Sequence, residues 1–219
     1  IKDKNHVGTI GCMIADYDGS KIIGEDMYGY GIDLMAAPFP NFNKNKIFYN
    51  AGCALFTPKD TFLKIGGFCP NIFLYGEDID YCWRLSLYGF QHYYFSNIFI
   101  YHNCAVGSFS TQKLAWYIRG EINCLLNNYS LLLLSVAFTY FIIFYFLLSA
   151  FFLITGKFDY FKTIYKSIWC ELTNNLRNIL AFRKIVQDNR IIPDRVLISK
   201  INIIPSRLIN LLYIGNYKL

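Results

Sequence analysis

The chain has 219 residues, of which 54% are hydrophobic, 19% aromatic and 16% charged, with a formal net charge of +6. That apolar share exceeds the roughly 45–50% usual for a soluble domain, so a wholly water-soluble protein is not expected and a membrane segment is. The seven cysteines, at 12, 53, 69, 82, 104, 124 and 170, are odd in number and make no C-x-x-C pair, which argues against a zinc site or a disulfide framework and for reduced thiols.

In chain order, Val7 to Ala15 is a β-rich apolar run closed by Asp18-Gly19 and Ser20, a hairpin signal. Ile47 to Phe56 reads as a second strand. Thr57-Pro58-Lys59-Asp60 opens a short helix, with Thr57 as N-cap and Pro58 at the first helical position, which closes at Gly66-Gly67. Gly76-Glu77-Asp78-Ile79-Asp80 then starts a helix running to Tyr88, with Gly89 as its stop. Acids in a first turn face the positive end of the helix dipole and stay ionised, which suits a helix cap and equally suits a general base at a strand-to-helix edge. Asp80 and Arg84 stand four apart and are expected to pair on the helix surface. His92 to Tyr101 reads as a strand that delivers His102 to the mouth of the fold, while His6 and His92 read as surface or packing residues. Ser110 to Asn128 reads as a helix leading into the membrane segment.

From Ile122 through Gly156 there is no Asp, Glu, Lys or Arg, and Leu131 to Ile154 is almost wholly apolar. Those residues would span about 36 Å as a helix, enough for a hydrocarbon core of about 30 Å, and their position excludes a signal peptide. Charge divides here, −1 over residues 1–121 against +7 over residues 157–219. In the tail, Lys157, Lys162, Lys166, Arg177, Arg183 and Lys184 interleave with Phe158, Tyr160, Trp169 and Phe182, a pattern for helices on an anionic membrane surface rather than for nucleic acid.

Asn50-Ala51-Gly52, Ile65-Gly66-Gly67-Phe68, Tyr75-Gly76-Glu77-Asp78-Ile79-Asp80, Trp83-Arg84-Leu85, Tyr88-Gly89 and His102, in that order, resemble the C-terminal half of family 2 glycosyltransferases, especially the rhamnosyltransferase-like branch. The resemblance covers most of residues 7–120. It implies an α/β fold: the C-terminal, acceptor-side part of a GT-A (Rossmann-like) domain over residues 1–120. A membrane-embedded or transmembrane helix (121–156) and a basic amphipathic helical tail (157–219) would follow it. It also implies inverting transfer from a nucleotide-diphosphate sugar to a glycan or lipid-linked acceptor, with a divalent metal, Mg or Mn, held mostly outside this chain.

By the same resemblance Asp78 is the base, Glu77 orients it or touches the acceptor, and His102 completes the metal or diphosphate site. Gly52, Gly67 and the region to Tyr75 would shape the substrate site; Asp80, Trp83 and Arg84 are further substrate-binding candidates that read first as structural, Asp80 and Arg84 as an ion pair and Trp83 as packing its helix. Arg119 would meet a phosphate or else anchor its helix at the membrane interface. Asp16-Tyr17-Asp18 has the D-x-D spacing of a metal-and-diphosphate motif but reads as a turn, where Asp bonds its own backbone. The donor-binding half is therefore expected before Ile1. The alternative is a membrane-attached interaction module, or one subunit of a split enzyme, without catalysis of its own. The positive-inside rule puts the tail in the cytoplasm, where a nucleotide-sugar enzyme also works. One crossing cannot keep both parts there, so either the apolar run re-enters or lies shallow, or one part faces outward. Both parts cytoplasmic is the preferred reading.

Overall fold

β1 (Val7–Asp16) is the centre of the sheet, and its nearly unbroken burial explains its nearly unbroken apolar sequence. β6 (Gln91–His102) runs parallel along one edge, from Val7 opposite Gln91 to Asp16 opposite His102. The other edge is shared by two short antiparallel partners. β2 (Ile22–Ile23) returns from the Asp18-Gly19 turn to pair Ile14 with Ile23, and β5 (Leu55–Phe56) pairs Gly11 with Leu55. A separate two-stranded ribbon joins β3 (Tyr30–Ile32) to β4 (Pro38–Pro40). The computed structural model describes residues 6–19, 22–23, 27–103 and 110–203; Ser20, Cys104 and residues 204–219 of the basic tail lie outside the described residues.

The expected strand over Ile47 to Phe56 is mostly not one. Only Leu55 and Phe56 join the sheet, and a 3-10 turn at Gly52–Ala54 interrupts the run. The cause is tertiary. Asn50 turns inward to donate to Thr9 Oγ1 (2.9 Å) and to the Tyr93 carbonyl (3.1 Å), and the Gly52 N–H is taken by Asp78. α1 (Lys59–Ile65) begins one residue later than expected, with Pro58 as its N-cap. Thr57 is not the cap, because its hydroxyl is spent on the Gly8 carbonyl (2.8 Å). α1 ends as expected, at Gly66 and Gly67 with φ of +80° and +67°.

α2 (Glu77–Leu87) is followed by Gly89 at φ +85°, and the Phe90 N–H closes on the Leu85 carbonyl (2.9 Å), a Schellman-type end. α3 (Thr111–Asn128) is capped by Ser110, whose hydroxyl accepts from the Lys113 N–H (3.2 Å). α4 (Leu131–Ile154) coincides with the apolar run, and it is long and apolar enough to cross a membrane. α5 (Phe158–Thr173), α6 (Leu176–Asp188) and α7 (Asp194–Ile198) complete the seven helices among the described residues.

The α/β class expected from the sequence is observed. A single core cluster joins all three stretches of the chain: Phe48, Trp83 and Leu85 from the first, Phe141 and Tyr145 from α4, and Ile164, Ile179, Val186 and Leu197 from the tail. The tail helices are thus packed on α3 as well as carrying a basic surface.

Candidate functional site

The site is built where α2 starts. Tyr75 and Gly76 take left-handed backbone conformations in succession, with φ of +62° and +114°. For tyrosine that costs roughly 1–3 kcal/mol unless its surroundings hold it, and such residues cluster at functional sites. Here the holding is visible. The Tyr75 ring stacks on Tyr117 of α3 at 4.2 Å, and Gly120 lets α3 approach so closely that a Cβ there would lie 1.9 Å from the Tyr75 carbonyl oxygen. The Cys124 thiol donates to the Gly76 carbonyl (3.4 Å).

This junction opens into a cleft of about 170 Å³ lined by Tyr49, Tyr75, Glu77, Asp78, Tyr117 and Glu121 together with small and apolar neighbours. Asp78 Oδ1 accepts from the Ile79 N–H and Oδ2 from the Gly52 N–H, each at 2.8 Å. Burial and the neighbouring Glu77 raise its pKa from 3.8 to about 6, against the lowering pull of the backbone donors. A carboxylate poised there is ionised at neutral pH and accepts a proton far more readily than an ordinary aspartate. Glu77 Oε2 is buried and meets no donor among the described residues. Burial and Asp78 push the Tyr49 hydroxyl well above 10, so Tyr49 stays a neutral donor. Glu121 accepts from Tyr145 Oη of α4 at 2.7 Å, which links the apolar helix to the cleft wall. The cleft is therefore acidic and aromatic. It suits a neutral polyhydroxyl group, whose hydroxyls donate to carboxylates and whose ring faces lie on tyrosine, better than it suits a diphosphate.

Of the residues singled out in the sequence, the fold brings Asp78, Glu77 and Gly52 together. Gly52 acts through its N–H on Asp78. Asp80 and Arg84 pair as expected (2.7 Å) but not on the surface: their side chains are 0% and 1% exposed. Asp80 Oδ1 also accepts from Asn127 (3.1 Å) and Asn128 (3.0 Å), and Arg84 donates to the Ile65 and Gly67 carbonyls (3.1 and 2.7 Å). Sealed from solvent, this network fastens α2 to α1 and α3, and Asp80, Arg84 and Gly67 belong to the frame rather than to a substrate surface. Trp83 is likewise fully buried, edge-on to Phe48 and Tyr129 at 5.4 and 4.6 Å.

Arg119 pairs with Glu171 of α5 (3.1 Å) and donates to Cys170 Sγ (2.9 Å), so it ties the tail to α3. His102 ends β6 beside Asp16 and does not line the cleft. Among the described residues no group of three or more His, Cys, Asp or Glu is placed to hold a metal ion.

His92 is a packing residue. Thr9 Oγ1, Ser86 Oγ and the Cys82 carbonyl surround its ring at 2.7, 3.0 and 3.0 Å, and burial lowers its pKa to about 3. Tyr75, the end of the stretch expected to shape the acceptor site, does line the cleft, whereas sequence reasoning missed Tyr49, Tyr117 and Glu121. One signal was available for Glu121: it is the only acidic residue between Asp80 and Asp159, at the head of a long uncharged stretch.

A scan against known protein families finds no match for this chain. A search of curated proteins finds no significant match either.

Proposed function

We propose that the chain is the acceptor side of an inverting glycosyltransferase of the family 2, GT-A type, attached to a membrane and working on the cytoplasmic face. The observation that carries this reading is Asp78: a carboxylate in a strained loop-to-helix junction, opening on an acidic, tyrosine-lined cleft, with its pKa raised to about 6. In this reading an acceptor hydroxyl of a glycan or lipid-linked glycan enters the cleft and donates to Asp78. The carboxylate takes the proton as the hydroxyl oxygen attacks the anomeric carbon, and the nucleoside diphosphate departs from the opposite face of the sugar. Buried Glu77 Oε2 accepts from a second acceptor hydroxyl, and Tyr75 and Tyr117 offer their ring faces to the sugar. Gly52 N–H and Ile79 N–H hold the Asp78 carboxylate in one orientation, which keeps its proton-accepting lone pair fixed.

A second reading treats Asp78 as a clip that joins the Gly52–Ala54 turn to α2, in a chain that binds partners without catalysis. Its two backbone hydrogen bonds favour that view. Replacing Asp78 by Asn at the native locus distinguishes the two. The amide keeps the size and one acceptor but cannot take the proton, and it should cost about 10² to 10⁴ in turnover. Cells carrying Asp78→Asn are expected to lose or truncate a lipid-linked or surface glycan while retaining the protein in their membranes. An unchanged glycan profile at normal protein level would leave the clip as the role of Asp78.

A further inference from the structure

The apolar helix is held along its length by charged helices, and this limits how it can meet a bilayer. The midpoint of α4 falls at Ile142 and Ile143. Tyr145, about 4 Å further along the axis at 1.5 Å per residue, is bound to Glu121 of α3. After the turn at Gly156 (φ +71°), α5 doubles back beside α4: Phe152 packs on Tyr160 with ring centres 5.0 Å apart, and Ser149 Oγ lies 3.2 Å from Tyr165 Oη. α5 brings Lys162, Lys166 and Glu171 with it, and Glu171 is paired to Arg119 of α3.

If α4 stood across the bilayer, Glu121 would sit near the midplane of a core about 30 Å thick. Glu77 and Asp78, which share the cleft with Glu121, would be drawn to the same depth, with Arg119 and Glu171 close by. Charged groups at that depth are rare and costly, and the cleft would be cut off from water. Placed along the membrane surface, the same helix meets no such conflict. Ala137, Phe141, Phe144, Tyr145, Ser149 and Phe152 form one stripe turned into the protein. Leu132, Val136, Ile143, Leu147 and Ile154 are exposed. α5 exposes Phe158, Tyr165 and Trp169 alongside Lys162 and Lys166, the aromatic and cationic side chains that favour the headgroup layer of an anionic leaflet.

We propose that α4 does not cross the bilayer but lies in the plane of a single anionic leaflet, its outward apolar face at acyl-chain depth and both its ends on the side of the cleft. The attachment is monotopic and independent of the catalytic reading. It sets Tyr117 and Glu121 close to the membrane surface, on the side from which a headgroup-borne acceptor arrives.

Lysines on either side of α4 test this in the native chain. Lys59 and Lys64 precede the helix, Lys157 and Lys162 follow it, and all four are exposed. Sealed membrane vesicles of both orientations are treated with an impermeant amine-acylating reagent, and modified lysines are read by peptide mass spectrometry. All four are expected to react from the same face. Lys157 and Lys162 reacting only from the face opposite to Lys59 and Lys64 would establish a crossing helix and overturn the proposal. In a second arm, chain freed of detergent is mixed with phosphatidylcholine–phosphatidylglycerol vesicles and floated on a density gradient. Flotation with the vesicles is expected. A soluble oligomer that stays behind, its α4 face covered by another copy, would overturn the proposal as well.

Discussion

Asp78→Asn should stabilise the protein at neutral pH. The folded-state pKa of Asp78 is raised from 3.8 to about 6, so ionising it in place is unfavourable by about 3 kcal/mol relative to the unfolded chain. The sign follows from the raised value: stability from this group is fully present below pH 3.8 and is lost as pH rises through 6. Asparagine escapes that cost but keeps only one acceptor for two backbone donors, the Gly52 and Ile79 N–H groups, a loss of about 1 kcal/mol. The net gain is about 2 kcal/mol at pH 7.5. At pH 4.5 the folded parent is protonated while its unfolded chain is still largely ionised. The remaining disadvantage of about 1 kcal/mol then cancels the lost hydrogen bond, and the difference falls to about zero. For a chain of this size 2 kcal/mol is about 4–8 °C in Tm. Thermal unfolding in detergent, followed by circular dichroism at both pH values, reads it directly. An Asp78→Asn protein less stable than the parent at pH 7.5, or a difference that does not change with pH, would refute the reasoning that Asp78 is held ionised against its environment.

Asp80→Ala leaves the Arg84 guanidinium buried without its partner, a loss of about 3–5 kcal/mol that denaturant titration should detect. Lys184→Ala removes an exposed pair with Asp188 and should leave the same titration unchanged. Gly120→Ala places a methyl carbon against the Tyr75 carbonyl, a backbone atom that cannot turn aside. It should cost about 1–3 kcal/mol by overpacking and disturb the Tyr75–Tyr117 stack, seen as increased hydrogen exchange at residues 73–78. Reversing Lys162 and Lys166 to Glu should weaken binding to anionic vesicles by roughly tenfold or more, with most of the difference removed by high salt. Equal binding by parent and variant would separate these lysines from the membrane surface.

The parts of the fold that local chemistry dictates were legible in the sequence. α4 was bounded to the residue by its almost wholly apolar, uncharged content, α3 by Ser110 and α2 by Gly76 and Gly89. The hairpin after β1 followed from Asp18-Gly19. Long-range partners decide the rest. Ile47 to Phe56 has strand composition, yet Asn50 and Gly52 are claimed by Thr9 and Asp78 across the fold, so most of the run leaves the sheet. An i,i+4 spacing joins Asp80 to Arg84 but does not say which face of α2 meets the core, and Asn127 and Asn128, which bury the pair, lie on a helix more than forty residues away. The basic tail carried its surface character openly. The buried stripe of Ile164, Ile179 and Val186 that binds it to the rest of the chain is visible only once α3 supplies the opposite face. At the cleft, the acidic first turn pointed to Asp78, whereas Tyr49 and Tyr117, from two other segments, gave no shared sequence signal.

The most direct test of the central claim is the pH dependence of sugar transfer in membranes from the native host, supplied with a panel of nucleotide-diphosphate sugars and their own endogenous acceptors. With Asp78 as the base, transfer by the parent should rise with pH through about 6 and level off above it. Asp78→Asn, present at equal level, should be slower by about 10² to 10⁴ and lose that rise. Transfer by Asp78→Asn within a few-fold of the parent, with the same pH profile, would contradict the account.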